Sequence, residues 1–163
     1  MKLDTMYQEI ILDHYRNPHN KGLRDPYNAE AHHINPTCGD EVTLRVTLTP
    51  GDSGDGAVLN GGATVSDISY DSMGCSISQA SASVLTDLLT GKTVDEGLRV
   101  LEEFTSLMQS KGQGEPDEDV LEDAVAFVGV SQYPARIKCA LLAWMAWKDA
   151  TVQSLDTEKE SAS

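Results

Sequence analysis

One stretch in which apolar and polar residues alternate, 41–49, followed by a second strand spanning about 64–73, constrains this chain more than any other feature. In the first, Val42, Leu44, Val46 and Leu48 alternate with Thr43, Arg45 and Thr47, the period-two pattern of a strand with one face on a core. Residues 50–63 hold five glycines and little apolar content, so they read as a flexible hairpin loop. The second stretch then returns antiparallel to the first. That pairing sets Cys38-Gly39-Asp40, just before one strand, and Gly74-Cys75, just after the other, at the same end of the sheet.

The remaining segments alternate between helix and turn. Residues 29–34 suit a further short strand. Residues 5–16 have helical apolar spacing, with Thr5 and Gln8 as a capping box and Asn17-Pro18 as the stop. After Cys75 the pattern predicts a helix over 76–90 closed by Gly91 at C′. A second capping box, Thr93 and Glu96, starts a helix to about 110. A Gly/Pro-rich break at 112–116 precedes a helix near 118–128, and Pro134 opens a long helix to about 152. The expectation is a single α+β domain over 1–153 with a disordered tail at 154–163.

Charge and composition exclude several classes of function. The formal net charge of −14 leaves no basic face for phosphate, which argues against nucleic acid. Acidic clusters such as Glu115, Asp117, Glu118 and Asp119 read as solvated surface. No apolar run is long enough to span a membrane, and the start Met1-Lys2-Leu3-Asp4 has no signal-peptide character, so the expected location is cytoplasmic.

The three cysteines, Cys38, Cys75 and Cys139, are odd in number and widely spaced, which disfavours a disulfide framework and a compact zinc finger. A lone cysteine is most often a small buried apolar residue. Three at element junctions, two of them joined by a hairpin, point instead to a shared site. With Asp40 they supply four ligands, the number required by tetrahedral Zn²⁺ or one corner of an iron–sulfur cluster. Cys75 and Cys139 fall near predicted helix starts, where thiolates are favoured, and Arg136 and Lys138 add positive charge beside Cys139. Asp40 is a harder ligand than the thiolates, which favours a working site with one exchangeable position over a closed structural one. His14, His19, His32 and His33 are weaker metal candidates, His14 being better placed on the first helix for packing or for facing a partner.

Four motifs then carry a resemblance: Asp13-His14-Tyr15-Arg16-Asn17-Pro18, Asn35-Pro36-Thr37-Cys38-Gly39-Asp40, Gly74-Cys75-Ser76-Ile77-Ser78 and Pro134-Ala135-Arg136-Ile137-Lys138-Cys139. In that order, over roughly residues 4–150, the chain resembles the NifU/IscU-type iron–sulfur assembly proteins and most of all their SufU branch. The resemblance implies a SufE/NifU-like α+β fold, a three-stranded antiparallel sheet with helices packed on it and a metal site at one end. It implies Cys38, Asp40, Cys75 and Cys139 as ligands of Zn²⁺, and Cys38 as the thiolate that accepts persulfide sulfur from a SufS-like cysteine desulfurase. Such a chain is a sulfur relay among cluster assembly proteins rather than a stand-alone enzyme. The alternative is a scaffold on which a [2Fe–2S] cluster is built. Lys138 stands where classical scaffolds carry histidine, no Leu-Pro-Pro-Val-Lys peptide is present, and the stretch from Cys75 to Cys139 is longer. These departures favour the sulfur acceptor.

Overall fold

The computed structural model describes residues 2–36, 39–50, 62–113, 115 and 117–161. Three strands, β1 (Ala29–Asn35), β2 (Asp40–Thr49) and β3 (Thr64–Met73), form one antiparallel sheet in the order β1-β2-β3. The alternation in β2 does what its period requires. Val42, Leu44, Val46 and Leu48 are buried, and the intervening Thr43, Arg45 and Thr47 are only partly so. Asp40 shares the buried face because it is in phase with Val42. Most of the glycine-rich loop, residues 51–61, lies outside the described residues.

Among the described residues, five α-helices accompany the sheet: α1 (Lys2–Arg16), α2 (Ser76–Leu89), α3 (Val94–Met108), the single turn α4 (Glu118–Leu121) and α5 (Pro134–Ser161). Helix α5 lies against β1 and β2 and also packs on α2. Trp144 and Trp147 of α5 are fully buried. Phe104 of α3 stacks on Trp144 with ring centroids 4.3 Å apart and meets Phe127 edge-on at 5.9 Å. A β-carbon on Gly97 would lie 2.8 Å from Trp147, so only glycine lets α3 approach that indole.

Several boundaries differ from the sequence expectation. Helix α1 begins at Lys2, so Thr5 and Gln8 lie inside it and do not cap its start. The helix expected near 118–128 is one α turn followed by a 3₁₀ segment over 122–132. Glu122, with φ of 46°, breaks the α geometry between them. Helix α5 passes residue 152 and continues to Ser161, through most of the stretch expected as a disordered tail. By contrast, Thr93 does cap α3: its hydroxyl accepts from the Glu96 N–H at 3.2 Å.

Candidate metal centre

The β1–β2 and β2–β3 pairings converge on Asp40. Asn35 pairs with Asp40 across the first hairpin, and Glu41 pairs with Met73 across the second. This brings Gly74-Cys75 alongside the Asp40 side chain. The Cys75 N–H donates to Asp40 Oδ1 at 3.0 Å, and the Cys75 thiol lies 3.4 Å from Oδ2. Burying a carboxylate is costly unless it is hydrogen-bonded, and these contacts supply that need. The approach depends on Gly74, whose φ of +149° and missing side chain leave room for the carboxylate.

Cys75 is the N-cap residue of α2, and Cys139 lies in the second turn of α5. The two helices are pinned by Ser81, whose hydroxyl donates to Ala140 O at 2.6 Å and accepts from Trp144 Nε1 at 2.9 Å. Ligand atoms of Asp40, Cys75 and Cys139 all lie within 4.8 Å of one another. Asp40 and Cys139 are buried and Cys75 is half-buried, so this cluster opens to solvent on the Cys75 side. Cys38 lies outside the described residues.

Arg136 and Lys138 are both exposed but border different spaces. Arg136 lines a cavity of about 480 Å³ with Tyr7, Ser76 and Tyr133, and Lys138 lines another with His33 and Asn35. Among the described residues, the Asp40 cluster contains no histidine. His14 is buried in packing, as its helix position suggested, with Nδ1 2.8 Å from Ser83 Oγ and Nε2 3.0 Å from Asp123 Oδ2. His32 Nδ1 meets Thr43 Oγ1 at 2.7 Å, and His33 Nε2 meets Asp149 Oδ2 at 3.0 Å.

Residues 6–140 match the family model of the NifU-like N-terminal domain. The chain belongs to that family. Within it, the chain is 42% identical over 146 residues to the Bacillus subtilis zinc-dependent sulfurtransferase SufU, covering 88% of each chain. It is 35% identical over 158 residues to the Streptococcus pyogenes iron–sulfur cluster assembly scaffold protein IscU, covering 96% of this chain and 89% of that one. Among solved structures, a candidate cluster-assembly scaffold for the SUF system from Fervidobacterium islandicum superposes with a TM-score of 0.70 at 32% identity. That match covers 90% of this chain and 97% of the other. The three-stranded antiparallel sheet with helices packed on it is thus the NifU-like fold. Sequence reasoning left two positioning residues of this NifU-like domain unassigned. Ser81 and Ser83 lie in the run Ser76–Ser83, which reads as a small-residue packing surface. Their hydrogen bonds to Trp144 and His14 depend on side chains more than sixty residues away in the chain.

Proposed function

We propose that this NifU-family chain is a zinc-dependent sulfur acceptor for iron–sulfur cluster assembly, taking persulfide sulfur from a SufS-like cysteine desulfurase onto Cys38. The observation that carries this reading is the convergence of Asp40, Cys75 and Cys139 to within 4.8 Å at one end of the sheet. Cys38 is two residues from Asp40 in sequence. The overall similarity to the Bacillus subtilis sulfurtransferase supports the same reading.

The donor set fits zinc: two thiols and one buried carboxylate, with Cys38 as the fourth ligand. Zn²⁺ held there would keep its sulfur ligands as thiolates at neutral pH. Cys75 and Cys139 are the holders, each anchored at the start of a packed helix. Asp40 fixes the Cys75 backbone through Oδ1, and its harder oxygen would be the ligand most readily exchanged on a bound zinc ion. The Cys38 thiolate attacks the terminal sulfur of the partner's persulfide. A new S–S bond forms on Cys38, the partner's S–S bond breaks, and the partner cysteine leaves as thiolate. Ile34, Met73 and Tyr133 are large, apolar and exposed, and each directly adjoins a segment that carries the cluster. An apolar rim of that kind suits a docking partner at the same end.

The deciding experiment measures desulfurase stimulation by the parent and by Cys38→Ser, with zinc content and folding checked in both. Loss of stimulation in a folded Cys38→Ser is expected, and stimulation equal to the parent's would sink the proposal. The similarity to the Streptococcus pyogenes scaffold favours one second reading, assembly of a [2Fe–2S] cluster as cargo on the same residues. A stoichiometric coloured cluster that displaces zinc on reconstitution would favour it.

A further inference from the structure

A second group of metal-binding side chains lies away from the Asp40 end. His14 closes the last turn of α1, His19 follows that helix, and Asp87 sits near the end of α2. Their ligand atoms all lie within 4.8 Å of one another, and the two imidazole centroids are 4.8 Å apart. At 1.5 Å per residue, Asp87 stands about 18 Å along α2 from Cys75, so the two groups cannot share an ion.

We propose that His14, His19 and Asp87 form a second divalent-cation site that takes zinc-class ions, with Asp123 as the adjoining carboxylate. His14 is the fixed member. It is buried, and whichever ring nitrogen takes the ion, the other is already held, Nδ1 by Ser83 Oγ or Nε2 by Asp123. Imidazole ligands to metals are oriented in this way. Ser83 Oγ also accepts from the His19 backbone N–H at 2.8 Å, so one hydroxyl positions both histidines. The side chains of His19 and Asp87, which pair with each other, are each more than two-fifths exposed and free to close on an ion. A cavity of about 160 Å³ lined by His14, Asp87, Asp123 and Glu122 opens beside them. Two neutral imidazoles and two carboxylates carry a charge of about −2, which a divalent cation balances, and nitrogen–oxygen donors of this kind suit zinc-class ions. A bound ion would clasp the end of α1 and the segment after it to α2.

The test is metal analysis after dialysis of the full chain against buffered Zn²⁺, for the parent, His19→Ala and Asp87→Ala. Both substituted side chains are exposed, and far-UV circular dichroism checks that the variants fold. Each substitution is expected to remove one zinc equivalent per chain. The remaining thiol-dependent equivalent is expected to stay, and desulfurase stimulation with it. Because the reading is a loss of one equivalent, it stands or falls independently of the Cys38 proposal. Zinc content unchanged in both variants would overturn it, as would loss of the equivalent only when the cysteines are replaced.

Discussion

Gly74 and Asp40 compete for one space: a β-carbon on Gly74 would lie 2.3 Å from Asp40 Oδ1 and 2.9 Å from Asp40 Cβ. Gly74→Ala must therefore displace a buried carboxylate, and it also places a side chain at φ of +149°. Together these predict a loss of about 1–3 kcal/mol in urea unfolding. The displaced carboxylate also leaves the Cys75 N–H without its acceptor, so zinc affinity measured by chelator competition should fall in parallel. Unchanged zinc affinity in Gly74→Ala would mean that Asp40 takes no part in holding the ion.

The Ser81 pin makes a second prediction about the same cluster from a distance. Ser81→Ala removes the acceptor of a fully buried Trp144 N–H and the donor to Ala140 O. An orphaned buried donor costs about 1–3 kcal/mol. Because Ser81 ties α2 to α5, its loss should loosen the spacing of Cys75 and Cys139 and raise the zinc dissociation constant. A Ser81→Thr variant, which keeps the hydroxyl, should recover most of the affinity. Equal losses in Ala and Thr would assign the effect to packing alone.

What the sequence made legible follows from the range of the interactions involved. Alternation in β2 reports a local period, and a glycine-rich stretch between two strand-like segments reports a hairpin, so the strands, their antiparallel pairing and the nearness of Asp40 to Gly74 could all be read. Extending the same phase two residues back from Val42 also points Asp40 inward. The start of α1 and the length of α5 were less legible because helix ends are set by weak local preferences that tertiary packing overrides. The break at Glu122 has no composition signature, since a non-glycine residue at positive φ is selected by its surroundings. The His14–Ser83–His19 arrangement joins residues more than sixty apart in sequence, and no local pattern encodes it.

Tyr70 predicts the alkaline limit of stability. It is fully buried on β3, and burial, the largest influence, pushes its ionisation up from about 10 to about 12, with Ser83 pulling the other way and the Asp87 and Asp71 charges adding to the rise. The folded state thus holds this proton more tightly than the unfolded chain does. Its contribution is complete below pH of about 10 and is lost as pH rises towards about 12, at most about 2–3 kcal/mol. Ultraviolet titration should show one of the five tyrosines ionising late, and Tyr70→Phe should remove that step. A late step that persists in Tyr70→Phe would assign it elsewhere.

Removing metal separates a working site from a folding staple. The largest fully buried side chains, Trp144, Trp147, Tyr70, Phe104 and Phe127, include no proposed metal ligand, and each contributes about 1.5–3 kcal/mol by burial. The Asp40–Cys75–Cys139 cluster sits at one end of the sheet. Loss of an ion from there should cost only the binding linkage, about 2.7 kcal/mol when zinc is at about a hundred times its dissociation constant. For a chain of this size that corresponds to a fall in melting midpoint of about 5–10 °C. Chelation should therefore leave the far-UV spectrum intact, lower the midpoint by at least that amount, and abolish desulfurase stimulation until zinc is restored. Cooperative loss of helix on chelation, with equal destabilisation by substitutions at Cys38, Cys75 and Cys139, would identify the ion as a staple and remove the basis for Cys38 as an acceptor.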